Sequence, residues 1–443
     1  MLSNILKTFF VLAVIIFLMW GFSDSYTGSN IDNIAHVTAI AIDKSQNPSA
    51  NLKVSFQFVD VSGSNSGSDS SSNSDVVIVG INSNTIDSAI SKLNSYIGKE
   101  VNLSHCRTLI FSRDFASNGI ASEIYTLINN VQMRPSTNLV VSTSNASDYL
   151  KNSNPNVEEL ISKYYDTFEL TSNFTGYSDD TTLGKFYDNI LRNSIGNTAI
   201  LGETFEEISS KSSSTSDSQS SENSHSSSSS TNSQGSSQSK SQSDTTSQKN
   251  NSDRSHPILD ESAKRGTQNI GIAVFNNATY IGELSPQETM YHLLVTNNVD
   301  SFDISVPVNN YENGLLNFRI SPYKSPKISI DTSSDTPSIK LEIFCEAYVL
   351  SIERKKDYGN IDFIDNTCPI IENFIKENIS SYLNRTSKEF QVDIANFHAI
   401  ARSNFFTIPE WDKYNWNDKY KNANFSVTAN INLNSQLLYI ENQ

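Results

Sequence analysis

The sequence predicts an α+β protein: mixed sheets with helices in two to three domains, preceded by one N-terminal membrane helix. Three observations carry that expectation. One apolar run stands near the N-terminus, apolar residues elsewhere follow both strand and helix periods, and serine-rich tracts interrupt the pattern. Strands and helices alternate without the long parallel regularity of a doubly wound sheet, which favours mixed sheets.

The apolar run extends from Phe9 to Phe22, with Lys7 on its N-terminal flank and Ser23, Asp24 and Asp32 beyond it. That charge bias places the N-terminus in the cytoplasm and the rest of the chain outside. The strict run is about 21 Å long as a helix, shorter than a hydrocarbon core of about 30 Å, as in a cleavable signal peptide. Leu2 to Gly21 spans about 30 Å if Lys7 snorkels, as in an uncleaved anchor. Both fates stay open, with residues 1–28 assigned to the anchor or signal segment. No cysteine follows the run, so a lipid cannot be attached there through a thioether.

At 443 residues and 37% hydrophobic content, the chain has the length for two or three domains and the means to fill their cores. A formal charge of −16 argues against nucleic-acid binding, which draws its affinity from clustered Lys and Arg. The same charge predicts repulsion from anionic lipid headgroups, leaving membrane contact to the N-terminal helix and to protein neighbours. Cys106, Cys345 and Cys368 are too few and scattered for a disulfide scaffold or zinc site. A Cys345–Cys368 bridge is open on sequence grounds and leaves Cys106 unpaired.

From Ser209 to Ser255 the chain is almost entirely Ser, Gln, Asn, Thr and Asp. Such a tract cannot bury enough surface to offset the entropy of ordering its backbone, so it reads as a tether or inserted loop. It separates an α+β region over 29–208 from another over 256–443. A shorter tract, Ser62 to Asp75, fits a hairpin tip, because closure cost grows only logarithmically with length.

In the first region, Ile34–Asp43, Leu52–Val59 and Val76–Ile81 read as strands. Ile86, Ile90, Leu93 and Ile97 form a helical stripe behind a Thr85 cap. A strand over Cys106–Phe111, a helix over Phe115–Val131 and a strand over Leu139–Ser142 follow, with further helices after Pro155 and over Leu183–Leu191. In the second region, Ile270–Phe275 and Thr279–Leu284 read as strands joined by a turn at Asn276 and Asn277. Ile339–Ile352 is strand-like. Ile371, Ile375, Ile379 and Tyr382 predict a helix capped by Thr367 with Pro369 in its first turn. Phe425, Val427, Ala429, Ile431 and Leu433 alternate with polar residues along a last strand, one face of which must be wet.

Residues arranged for chemistry are scarce. The sequence has no H-E-x-x-H pair, Gly-rich phosphate loop or G-x-S-x-G elbow, and no catalytic, cofactor-binding or metal-ligating residue is assigned. His36, His105 and His398 read as satisfied core or surface histidines. Asp179 with Asp180 and Glu206 with Glu207 are acidic pairs of the kind a glycosidase uses, but adjacent carboxylates rarely address one bond from opposite sides. Trp411 and Trp416 have the faces to stack on sugars, or to pack beside the last strand.

Taken in order, these segments resemble the Ger(x)C spore germination proteins, the C subunits of nutrient germinant receptors. The resemblance opens on Asp32, Ile34, Ala35, Val37, Thr38, Ile40, Ile42 and Asp43. It continues through Leu103–Ile120, Val131, Arg134, Leu139–Ser142, Tyr149 and Leu150. After the tether it resumes at Gly271, Ala273, Val274 and Phe275, then Gly282, Leu284, Glu288 and Thr289, and closes on Asp393, Phe397, Trp411, Trp416 and the final strand. Departures are the absent lipid-bearing cysteine, Ala39 and Ala41 where Gly is common, and the long tether. The resemblance implies three mixed α/β domains and a non-enzymatic receptor subunit on the outer face of the spore inner membrane. Its implied partners are two multispanning subunits, one of them transporter-like. Competing classes are an extracytoplasmic protein that binds or hydrolyses cell-wall carbohydrate and a free solute-binding protein.

Overall fold

In the computed structural model, residues 9–10, 12–17, 33–59, 76–153, 161–192, 196–204, 266–308, 315–350 and 361–434 are described. The first long strand, β1 (Ile34–Lys44), is buried on both faces over most of its length. A bulge between Val37 and Ala39 sets its phase. Val37, Ile40 and Ile42 then enter the core on one face of the sheet, and Ala39 and Ala41 the core on the other. The two alanines lie in the same core as Tyr149 and Tyr165.

β2 (Leu52–Val59) and β3 (Val76–Ser83) pair antiparallel outward from β1. The Ser62–Asp75 tract lies outside the described residues. Helix α1 (Ile86–Ile97) starts where the Ser88 amide donates to Thr85 Oγ1 and stops at Gly98 in the left-handed region. β4 (Glu100–Asn102) and β5 (Thr108–Ser112) both run parallel to β1. The single helix expected over Phe115–Val131 is two, α2 (Arg113–Ala116) and α3 (Ala121–Ile128). Gly119 at φ +93° breaks the turn, and the Ile120 amide donates to Ala278 O at 2.9 Å instead of continuing a helix.

β6 (Asn138–Ser142) is followed by α4 (Ala146–Asn152), α5 (Ile161–Asp166), α6 (Phe168–Thr175) and α7 (Leu183–Leu191). The chain then enters β7 (Gly196–Thr204), parallel to β6. Parallel neighbours need such crossovers. The next strand in space comes from the far side of the serine tract. β8 (Thr267–Asn276) pairs antiparallel with β7 from Gly196↔Asn276 to Thr204↔Thr267, and β9 (Thr279–Leu284) pairs with β8. The sheet order is β3-β2-β1-β5-β6-β7-β8-β9, with β4 beside β1. One sheet thus draws strands from both sides of the tract 209–255, which itself lies outside the described residues.

Gly271 sits at φ +91° where β8 departs from regular register, and its amide donates to Tyr177 O at 2.7 Å. A Cβ there would meet Leu284 O at 2.6 Å, so the position admits only glycine.

The second sheet has the order β10-β11-β12-β13. After β9 come α8 (Pro286–Thr296), β10 (Phe302–Pro307), β11 (Leu315–Asp331) and β12 (Ser338–Val349). Helix α9 (Ile361–Arg385) continues as a π-turn over Thr386–Phe390, and α10 (Phe397–Arg402), α11 (Ile408–Tyr414), α12 (Trp416–Tyr420) and β13 (Asn424–Asn434) follow. Only β12 and β13 pair in parallel. Ile339, Leu341, Ile343 and Cys345 alternate into the core with Val427 and Ile431, while the other face of β13 is wet as expected.

Two expectations need correction here. Helix α9 does not begin at a Thr367 cap: it extends back to Ile361, with Thr367 and Pro369 inside it. Ile364 and Cys368 continue its apolar stripe onto the core, and that packing outweighs the hydrogen bond lost at Pro369. The strand expected to Ile352 ends at Val349, and Ile352 lies outside the described residues.

Of the N-terminal apolar segment, residues 9–10 and 12–17 are helical, and Phe9, Phe10, Ile16 and Phe17 are exposed. The rest of that segment lies outside the described residues, among which no helix is long and apolar enough to cross a membrane.

Inserting a specific protease site between Ser209 and Ser255 and cutting it should leave two fragments that co-purify without denaturant, because β7 and β8 remain hydrogen-bonded. Separation of the fragments on a sizing column is the opposing outcome. In Gly196→Val, a Cβ starts 2.2 Å from Val392 Cγ1, so the variant should lose about 1–3 kcal/mol of stability in urea melts.

Candidate functional site at the junction of the two sheets

The two sheets meet where β7 and β8 of the first face α8, α9 and the loop 391–396 of the second. The Gly196 amide donates to Asp393 O at 3.1 Å, which brings the backbones together. Asp393 is 1% exposed. Its carboxylate accepts from the Phe397 and His398 amides at the start of α10, at 3.2 and 2.7 Å, and from Trp416 Nε1 at 3.1 Å. The buried carboxylate thus ties the N-terminus of α10 to α12.

The first sheet has an equivalent device. Asp43, at the end of β1, accepts from the Ala146 and Ser147 amides at 2.7 and 2.9 Å, holding the start of α4. Both aspartates belong to the resemblance noted in the sequence, and in both cases the partner helix is supplied by distant or folded-back chain.

His292 on α8 is buried beside Tyr382 on α9, with Nδ1 and Oη 2.7 Å apart. Burial holds the imidazole below the ordinary histidine range, against the opposing pull of Asp179 and Asp393. Tyr420 Oη meets Thr386 Oγ1 at 2.7 Å, and burial pushes both the Tyr382 and Tyr420 phenols well up. On the edge of this region Arg385 Nη1 donates to Glu288 Oε2 at 2.5 Å, and Glu288 also closes the capping box with Ser285. The network joins elements of the second sheet around a neutral histidine. Periodicity alone did not single out His292, although Ser285, Pro286 and Glu288 mark the start of its helix.

Around the corner lies a pocket of about 390 Å³, lined by Tyr177, Met290, Tyr291, Ile304, Phe374 and Asp303 among others. Arg319 grips Asp303 with Nε and Nη2 at 2.8 and 3.1 Å, neutralising the carboxylate at the rim. The rest of the lining mixes Tyr177, Tyr291 and Phe374 with the polar Gln287, Ser305 and Asn378.

The residues weighed for chemistry fall in different places. Asp179 is buried and accepts from the Asp180 amide at 2.8 Å and from Thr181 Oγ1 at 2.5 Å. Asp180 binds Lys185 Nζ at 2.6 Å, while burial and the Asp179 charge raise its carboxyl above the usual range. Glu206 and Glu207 lie outside the described residues. Trp411 and Trp416 stack on each other at 6.0 Å inside the second core, 8% and 2% exposed, so neither offers a free face. His398 is buried, whereas His36 and His105 are exposed and meet edge to face at 4.7 Å. All three cysteines are free thiols, and burial pushes Cys106 and Cys345 up to about 12. Among the described residues no group of three or more His, Cys, Asp or Glu is placed to hold a metal.

Comparison with known proteins decides the family. Residues 28–203 match the family described as spore germination protein N-terminal domain, and residues 270–436 match spore germination B3/GerAC-like, C-terminal. The chain belongs to the GerAC-like spore germination proteins. The family is that of germinant receptor C subunits. A crystal structure of the GerBC protein is similar in fold, with a TM-score of 0.50 at 11% identity, covering 89% of this chain and 96% of that one. No curated protein sequence matches. The gap between the two GerAC-like matches contains the serine tract, so the family's own halves are the ones that β7 and β8 join.

Below pH 6.5 the His292 site should cost stability. An imidazole kept neutral by folding takes up a proton more readily when unfolded, so its contribution is complete above the unfolded pKa and is lost as pH falls towards the lowered folded value. Urea midpoints measured from pH 7.5 to 5 should fall less steeply in His292→Gln than in the parent. Asp43→Ala should cost about 2–3 kcal/mol, because two buried amides lose a charged acceptor.

Proposed function

We propose that this chain is a non-enzymatic, membrane-attached subunit of a nutrient germinant receptor. It stands on the outer face of the spore inner membrane and scaffolds or couples two multispanning subunits, one of them transporter-like. The observation that carries this reading is the family match in both halves, held on one continuous sheet. A body that shares a sheet across its halves moves as a unit, which suits a part that transmits differential stabilisation between assembly states.

Attachment is supported by the N-terminal apolar segment, whose Phe9, Phe10, Ile16 and Phe17 are exposed and pair with no core of the folded body. The cell-wall reading loses its support at the residues that motivated it. Trp411 and Trp416 are packed away, and Asp179 is consumed by internal hydrogen bonds.

Deleting the gene for this chain should block germination with nutrients and leave sporulation and vegetative growth intact. Alanine at Asp180, Glu206 and Glu207 should leave nutrient germination near the parental rate. Phe275→Asp should abolish it, since that ring is fully buried against Phe186 and a charge there has no partner. Germination that survives the deletion, or a wall-hydrolysing activity lost with those carboxylates, refutes the reading. Removing residues 9–22 should release the protein from the membrane fraction, while blocking prolipoprotein processing should not.

A further inference from the structure

The pocket beside α8 is built from both halves of the chain. Tyr177, just after α6, precedes the serine tract, whereas Tyr291 on α8, Asp303 and Ser305 on β10, and Phe374 and Asn378 on α9 follow it. Contacts outside the cavity fix its walls. The Gly271 amide donates to Tyr177 O at 2.7 Å, and the Asp300 amide donates to Asn173 O at 2.8 Å. Gly176, at φ +68°, brings α6 so close to β10 that a Cβ there would stand 3.1 Å from Phe302 Cβ. At about 390 Å³ the cavity lies near the small end of the range of roughly 300–1,000 Å³ that small-molecule sites occupy.

Tyr291 is 4% exposed, yet its phenol makes no hydrogen bond among the described residues. Burial alone pushes its ionisation up, so the group stays a neutral O–H. A buried hydroxyl without a partner is destabilising, and on the wall of a cavity it asks for a polar occupant. The Tyr177 phenol is likewise uncommitted among the described residues, and burial and the charge of Asp303 raise it. Asn378 gives one N–H to Phe374 O at 2.8 Å, which leaves its carbonyl oxygen open. Ser305 gives its proton to Asn317 Oδ1 at 2.6 Å, which leaves an acceptor.

Among the described residues the lining includes no Lys, Arg or His, and its one carboxylate, Asp303, is already held by two bonds from Arg319. An anion finds no countercharge there and a cation no free carboxylate, so either would lose its hydration without replacement. A purely apolar molecule would leave both phenols and Asn378 unpaired. Groups that donate and accept match hydroxyls, and the rings of Tyr177, Tyr291 and Phe374 offer apolar surface to the C–H faces of a saturated ring. We propose that the pocket between Tyr177, Tyr291 and Asn378 binds a small, neutral, polyhydroxylated ring of the monosaccharide or cyclitol class. The inference goes beyond the receptor reading and does not rest on it. A ligand held there touches both halves of the chain.

The test is saturation-transfer NMR on the full chain in detergent, with empty micelles as the blank. The probes are glucose, galactose and myo-inositol, beside succinate as an anion and ethanolamine as a cation. At least one of the three polyols should receive transfer, and neither charged probe should. Tyr291→Phe keeps the ring that meets Phe302 at 6.5 Å and removes only the hydroxyl, so it should weaken the titrated affinity several-fold while the urea midpoint holds. Asn378→Leu should weaken it as well, whereas Tyr96→Phe, on the exposed face of α1, should not. Absence of transfer to all three polyols overturns the proposal. Transfer that is equal in the parent, Tyr291→Phe and Asn378→Leu puts the polyol elsewhere and overturns it too. Stronger transfer to succinate or ethanolamine than to any polyol overturns the ligand class and the proposal with it.

Discussion

The antiparallel pairing of β7 with β8 is the constraint on which the rest of the molecule hangs. It runs the length of both strands and joins chain from either side of the serine-rich tract, closing the first sheet with residues that follow the tract. Without it, β8 and β9 would expose apolar faces that enter two cores: Ala273 and Phe275 on one side, Ile272 and Val274 on the other. Loop closure grows only slowly in cost with length, so a long polar insertion between adjacent strands is tolerated once the strands themselves are well paired. The two halves therefore behave as one scaffold rather than as beads on a tether.

Two buried aspartates make the scaffold specific. Asp43 and Asp393 each satisfy two amides at a helix N-terminus, and each does so in a place where a neutral residue would leave buried donors unpaired. Asp43 ends a strand of the first sheet and Asp393 sits in the loop before α10, and they use the same physics. The His292–Tyr382 and Thr386–Tyr420 pairs add polar contacts that fix how α8, α9 and α12 meet, since a buried network is stable only in the arrangement that satisfies it. In the coupling role proposed for this chain such rigidity is useful: a displacement at one surface is carried to another instead of being absorbed.

Much of the fold was legible in local pattern. Leu52–Val59, Leu183–Leu191 and Thr279–Leu284 have the bounds that periodicity predicts, and Thr85 caps α1 as expected. The failures have physical causes. β7 is buried on both faces and so shows no alternation. β11 contains Pro322 and Pro326, which read as breakers, yet its bulges between Pro322 and Lys327 accommodate them. α8 is buried around most of its circumference and lacks a single apolar stripe, leaving its capping box as the local signal. At the candidate site, Trp411 and Trp416 were visible as residues, but only packing showed that their faces are taken.

By itself the sequence determined many of the elements, the serine insertion, the absence of a lipid-bearing cysteine and, through ordered landmarks, the family. Those properties reside in residues a few positions apart or in composition, so they survive without knowledge of the fold. The tertiary structure alone decided that strands on both sides of the insertion share a sheet, that Asp393 meets Gly196, and that His36 and His105 meet edge to face. Each of these depends on the register of strands far apart in sequence, and local periodicity carries no information about which distant strand a given one will pair with.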